Sequence, residues 1–420
     1  MKINVNPVRG TIDYLPKDME IRQNVNNIIL SSFKQNGFLQ VKTPILENIS
    51  ILTNGDSGDN QKLMFKTIKR GEKLKLDKPN LTESDIVEEG LRYDLTVPLA
   101  RLYAGNKETL PYPFKAIQID ESFRAERPQR GRYRQFTQCD IDIWGDATCN
   151  AEIDLLVSAI STYEKIGFNK LKLKVNDRRI LNTVIVNSGF TLDDVIDINI
   201  SLDKLDKIGV DAVIEELVTK GYNSDSVQKL LNLITTVKNA ESLDGVCKIL
   251  LDYGVEAEVI ESVKSIIEVV GGFSKSCVVA YDITVIRGQG YYTGTVFEMY
   301  DEEGDFHRAI GGGGRYDKML ERFVGTNIPA VGYSIGLEPV VMLLLERHKT
   351  FESKKLVLLY DKTDDISSVI KAKQSLMDSG YEVSIYLYPK NFKNFIERVK
   401  ECNFVGYVKF SDLNNIQSIN

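Results

Sequence analysis

Five arginines, Arg124, Arg127, Arg130, Arg132 and Arg134, fall within eleven residues of a chain whose formal net charge is −6. No lysine interrupts them. Guanidinium replaces ammonium where planar, bidentate contact with phosphate or carboxylate is needed. A charge run also has a plain reading as a solvated loop. The residues that follow favour a site: Gln138, Asp140 and Asp142 alternate with Cys139, Ile141 and Ile143, so the amide and carboxylates share one face of a strand. Arginines beside carboxylates and an amide suit a ligand with a polyanionic end and a polar or cationic end. The flanks say what positions them. Residues 113–123 alternate apolar and polar, and Pro128 and Gly131 mark a loop, which together predict a long antiparallel hairpin.

The stretch FRAERPQRGRYRQFTQCDID resembles motif 2 of class II aminoacyl-tRNA synthetases, and more narrowly that of the histidyl-tRNA synthetase family. Other stretches resemble the same family. An amphipathic helix ending at Asn36-Gly37, a strand over 38–41 and then Thr43-Pro44 resemble motif 1, the dimer-interface element. Residues 91–96, LRYDLT, resemble a stretch in which an acidic residue and a threonine hold the α-ammonium. In the run from Arg287 to Glu298, RGQGYYTGTVFE resembles one histidyl signature, with Gln289 and Gly290 where Leu and Asp are usual. GGRYD, ending at Asp317, resembles the second, its glycines expected to adopt positive φ or to let backbone approach a ligand. AVGYSIGLE resembles motif 3, but Pro339 stands where the family has an arginine against the ATP tail.

Carried over position by position, the resemblance implies that Arg124 contacts the α-phosphate and substrate carboxylate, with Arg287 opposite it as the second catalytic cation. Glu126 would meet adenine and Arg132 the outer phosphates. Asp94, Thr96 and Gln138 would hold the ammonium of histidine. Asp142 and Tyr292 would hold its imidazole, with Tyr291 and Tyr316 in the same pocket. Arg132 or Arg130 would compensate for Pro339. The implied activity is an ATP-dependent histidine–tRNA ligase, with magnesium entering on ATP, tRNA(His) as acceptor and a homodimer through motif 1. The alternative is a non-catalytic relative, such as the regulatory subunit of ATP phosphoribosyltransferase, which binds histidine as a signal.

The rest of the chain sets bounds. Its 420 residues suffice for two or three domains, and 43% apolar with 27% charged residues is ordinary for a globular protein. Two histidines and five cysteines without a CxxC pair predict no protein metal site and reduced thiols. No run is long and apolar enough to span a membrane, and MKINVNPVRG lacks the apolar core of a secretion signal, so a cytoplasmic protein is expected. Strand patterns are predicted over 62–69, 91–98, 170–175 and 276–286. Helical periodicity is predicted over 151–166, 211–220, 226–237, 242–253 and 256–270, and a βαβαβ order over 356–409. The fold class expected is α+β. A class II antiparallel-sheet catalytic domain (1–177 and 274–349) would be interrupted by a helical insertion (178–273). A small α/β domain resembling the anticodon-binding unit would follow (354–420).

Overall fold

The computed structural model describes residues 3–54, 62–74, 76–202, 204–288, 290–349 and 351–419. It divides into two units, one of Arg9–Thr11 and Asn27–Val340, the other of Met1–Val8, Ile12–Asn26 and Val341–Asn420.

The larger unit is organised by one eight-stranded sheet. In chain order its strands are β1 (Leu39–Gln40), β5 (Phe114–Phe123), β6 (Gln135–Trp144), β7 (Leu171–Asp177), β8 (Cys277–Tyr281), β9 (Thr295–Asp301), β10 (Gly311–Arg315) and β11 (Ala330–Gly336). Their spatial order is β1-β5-β6-β11-β10-β9-β7-β8. Every inner pairing is antiparallel, and only the edge pairs β1–β5 and β7–β8 are parallel. The predicted hairpin is the β5–β6 pair, in unbroken register from Phe114 opposite Trp144 to Phe123 opposite Gln135. Three short strands, β2 (Leu46–Asn48), β3 (Lys66–Ile68) and β4 (Val87–Leu91), make a separate antiparallel sheet in the order β2-β4-β3.

An aromatic core lies behind the hairpin. Tyr103 stacks on Trp144 with ring centroids 5.3 Å apart, and Tyr316 meets Trp144 edge-on at the same separation. Buried Arg92 ties the 43–44 segment to β5: it donates to the Thr43 carbonyl at 2.8 Å and the Glu121 carbonyl at 2.7 Å, and pairs with Asp120 at 3.0 Å. A guanidinium so fully engaged serves the fold.

Several sequence expectations need correction. The strand predicted over 62–69 is confined to Lys66–Ile68, and that over 276–286 to Cys277–Tyr281. The strand predicted over 91–98 ends at Leu91, and Thr96 opens a helix, Thr96–Asn106. Asp94 takes the capping bond, from the Val97 amide at 3.1 Å. In the first helix, Pro16–Gln35, the fully buried stripe is Ile21, Val25, Ile29 and Phe33 at strict i, i+4 spacing, with Ile28 and Leu30 only half-buried. The glycines of GGRYD are neither a turn nor at positive φ: they form the strand β10. Between β7 and β8 the chain is helical, and it includes Arg178–Asn187 and Val195–Leu202, which the periodicity did not reveal.

The smaller unit contains a four-stranded sheet, β13-β12-β14-β15, from β12 (Lys355–Tyr360), β13 (Glu382–Leu387), β14 (Gly406–Lys409) and β15 (Asp412–Ser418). The first three are parallel and follow the expected βαβαβ order, while β15 adds an antiparallel edge that was not foreseen. Central β12 is apolar on both faces, Leu356 and Leu358 packing to one side and Val357 and Leu359 to the other.

Candidate active site

The polar face of β6 opens on a small cavity lined by Asp94, Thr96, Gln138, Asp140, Asp142, Arg287, Tyr291, Tyr292 and Tyr316, with Tyr333 and Ser334 from β11. The seven residues assigned by resemblance to the ammonium, imidazole and pocket of histidine therefore surround one space together with Arg287. Arg124, Glu126 and Arg132 do not line it; they stand at the end of the hairpin. Gln289 lies outside the described residues.

Neighbouring glycines make the room. Gly332 pairs directly with Asp142, and a Cβ there would collide with the Asp142 carboxylate. A Cβ on Gly312 would come within 2.7 Å of Arg287 Nη1, and one on Gly314 within 2.9 Å of the Tyr292 ring. Each glycine leaves the volume that one cavity side chain fills.

Asp142 accepts a hydrogen bond from the Tyr316 hydroxyl through Oδ1, while its buried Oδ2 has no protein partner. Gln138 turns Nε2 toward both oxygens of Asp140, at 3.4 and 3.3 Å, and toward Ser334 Oγ at 3.3 Å. Its buried Oε1 is left without a partner. Asp94 uses Oδ1 for the helix amide and accepts from Tyr291 through Oδ2 at 3.2 Å. Burial pushes Asp140 up to about 7, helped by the charge of Asp94 and opposed by Ser334, Gln138 and Arg124. Burial and then the neighbouring Asp140 raise Asp142 well above the usual carboxylate range. Three carboxylates facing one buried space create a demand for a cation.

Arg287 donates Nη1 to Glu298 Oε1 at 3.0 Å, and the other oxygen of Glu298 accepts from Tyr300 at 2.6 Å. Its Nε is buried without a partner. Burial disfavours its charge, but Tyr292 and Glu298 outweigh that and raise its pKa. Arg178, which sequence patterns did not single out, holds this segment by donating to the carbonyls of Arg287 at 2.8 Å and Tyr292 at 3.2 Å.

At the hairpin end, Arg124 donates Nε to the Tyr93 carbonyl at 2.9 Å and lies over the Phe136 ring. Arg132 pairs with Glu126 at 2.8 Å and Arg130 with Asp305 at 3.2 Å. Arg134 braces the loop from behind through the Glu126 carbonyl at 3.1 Å. Its backbone amide reaches the Gly10 carbonyl at 2.7 Å, which gives Gly10 a place beside the loop. The Arg and Asp of GGRYD are structural: Arg315 forms a buried ion pair with Glu152, and Asp317 accepts from the Ala330 amide at 2.9 Å. In motif 3, both oxygens of buried Glu338 accept from the Thr137 amide at 3.0 Å, coupling the start of the helix Leu337–Glu346 to β6.

An antiparallel sheet carrying these motifs on adjacent strands is the catalytic core of a class II aminoacyl-tRNA synthetase. Two solved structures repeat the fold. One is described as a histidyl-tRNA synthetase from Nostoc sp. PCC 7120, with TM-score 0.76 and 23% identity, covering 97% of this chain and 91% of that one. The other, described as an ATP phosphoribosyltransferase regulatory subunit/histidyl-tRNA synthetase from Bacillus halodurans C, also has TM-score 0.76, at 18% identity over 97% and 99%. Within that class, the chain belongs to the histidyl-tRNA synthetase family, whose model matches residues 10–340. The histidine–tRNA ligase of Leifsonia xyli is 36% identical over 414 residues, 96% of this chain and 94% of that protein. A probable histidine–tRNA ligase of Tropheryma whipplei is 36% identical over 98% and 97%.

Proposed function

We infer that this protein is a histidine–tRNA ligase, which joins histidine to ATP as histidyl-adenylate and passes it to tRNA(His). The observation that carries the reading is the set of buried, unpartnered polar atoms around one cavity: acceptors Gln138 Oε1 and Asp142 Oδ2, and donor Arg287 Nε. Buried polar atoms demand partners, and histidine supplies them. Its ammonium is a donor for Gln138 and the Asp94 side, its imidazole N–H a donor for Asp142, and its carboxylate an acceptor for Arg287. The carboxylate oxygen attacks the α-phosphorus, the P–O bond to the β-phosphate breaks, and pyrophosphate leaves. The nucleophile is already ionised, so the work is positioning and neutralisation of charge at phosphorus. Arg124 and Arg287 supply the cations, Glu126 meets adenine and Arg132 the outer phosphates. ATP enters with its magnesium as one substrate. A ribose hydroxyl of the tRNA terminus then attacks the carbonyl carbon and AMP leaves.

Histidine-dependent exchange of pyrophosphate into ATP tests the reading. Histidine binding without exchange would instead favour the regulatory relative, which the curated relatives named as ligases do not support. We also place the protein in the cytoplasm as a homodimer, with exposed Leu39, Ile45 and Leu46 of motif 1 in the interface.

Two further results are expected. Cation binding favours ionised carboxylates, so histidine should displace protons held by Asp140 and Asp142, and its affinity should rise as pH rises through about 7. By the same linkage the ligand-free fold, whose Asp140 pKa is raised above its ordinary 3.8, loses stability as pH rises from there to about 7. Calorimetry near pH 7 in two buffers of different ionisation enthalpy reads the proton release. Equal release by the native protein and Asp140→Asn would remove Asp140 from this role. Second, removal of residues 354–420 should spare exchange while reducing tRNA charging, because every cavity residue lies within Asn27–Val340. Equal loss of both activities would show that the tail supports catalysis itself.

A further inference from the structure

We propose that Arg308 is a phosphate-binding residue, supplying at the edge of the ATP site the cation that position 339 does not carry. The inference rests on the ligase reading above.

Strand register puts Arg308 there. Gly311 pairs with Ile335, and the Gly336 amide extends that pairing by donating to the Ile310 carbonyl at 3.0 Å. The space above Gly336 is shared by the Pro339 ring and the Ile310 carbonyl, so the chain enters β10 beside the first turn of Leu337–Glu346, and Arg308 lies two residues before that point. On its other side Arg308 reaches the arginine loop. Nη2 donates to Gln129 Oε1 at 2.6 Å and Nη1 to the Arg130 carbonyl at 3.2 Å. Arg308 thus ties the segment entering β10 to the arginine loop, across 179 residues of sequence.

Charge pairing separates it from its neighbours. Arg130 and Arg132, the compensators expected from sequence, are matched with Asp305 and Glu126. Both must exchange a carboxylate for a phosphate to serve. The two acceptors of Arg308 are neutral, so among the described residues its positive charge has no ion-pair partner at an exposed position. A guanidinium has five donors in a planar fork that matches phosphate oxygens. With two donors spent on the loop, the others remain for an anion. A merely solubilising arginine would have no reason to fix its fork on a backbone carbonyl and an amide of a distant loop.

The test is the ATP dependence of histidine-dependent pyrophosphate exchange. Arg308→Ala should raise KM for ATP roughly tenfold to a hundredfold, with a smaller effect on kcat and on KM for histidine. Arg308→Lys, which keeps charge without the fork, should fall between. Adding Pro339→Arg to Arg308→Ala should lower KM for ATP again. An ATP KM unmoved by Arg308→Ala, or moved no more than that for histidine, overturns the proposal. Calorimetric titration with inorganic tripolyphosphate keeps the two readings distinguishable. Absence of exchange in the native protein defeats the ligase reading, while tripolyphosphate binding weakened in Arg308→Ala still supports Arg308 and equal binding still rejects it.

Discussion

Arg287→Ala should slow histidine-dependent pyrophosphate exchange by two to three orders of magnitude, a loss of about 3–4 kcal/mol of transition-state stabilisation. Arg287 is anchored through Nη1 to Glu298, and its buried Nε has no protein partner in the cavity. Gly312 leaves the space in which the guanidinium lies, so the group is held in place before substrate arrives. A donor fixed in advance costs no reorganisation when charge develops on phosphorus. The fold should survive, because Glu298 keeps its bond to Tyr300 and the loop keeps its hold on Arg178. Exchange measured well below the melting temperature of each variant is the check, with Arg287→Lys expected to recover part of the rate. Native-rate exchange in Arg287→Ala would exclude this residue from the mechanism.

Much of the cavity was legible because period-two alternation in a strand is local. Gln138, Asp140 and Asp142 declare their shared face within five residues, and hairpin pairing carries that face to the centre of the sheet. Asp140 was visible on that face without a role. Its part emerges only from the side chains it meets, Gln138 and Ser334, the latter on a strand nearly two hundred residues later. The positive φ expected of the glycine run failed for a related reason. Glycine fits positive and negative φ alike, and here the run is a strand whose Gly312 and Gly314 leave space beside neighbouring backbone and the side chains of Arg287 and Tyr292. Strand β15 was missed because DLNNIQS is polar and mostly exposed, with no alternation to betray it. Arg178 and Arg308 have no local signature, since their partners lie more than a hundred residues away.

Asp142→Ala should weaken histidine binding roughly tenfold to a hundredfold and leave ATP binding nearly unchanged. In the proposed function the carboxylate is the acceptor that separates histidine from a side chain lacking a ring N–H. Its Oδ1 is occupied by Tyr316 and its Oδ2 is free for the ligand. A hydrogen bond to a charged acceptor contributes about 1.5–3 kcal/mol, and a site built around one leaves the remaining groups unpaired when it goes. The effect on stability has two opposing parts. Tyr316 loses its buried acceptor, which costs about 1–3 kcal/mol. Asp140 loses the buried carboxyl group coupled to it, which removes strain from the ligand-free cavity. The melting temperature should therefore move less than the histidine affinity. Arg124, Glu126 and Arg132 stand outside this cavity, so ATP should be held as before. Histidine and ATP titrations on the same preparation decide the matter: unchanged histidine affinity, or equal weakening of both ligands, would mean that the cavity under β6 is not where the imidazole binds.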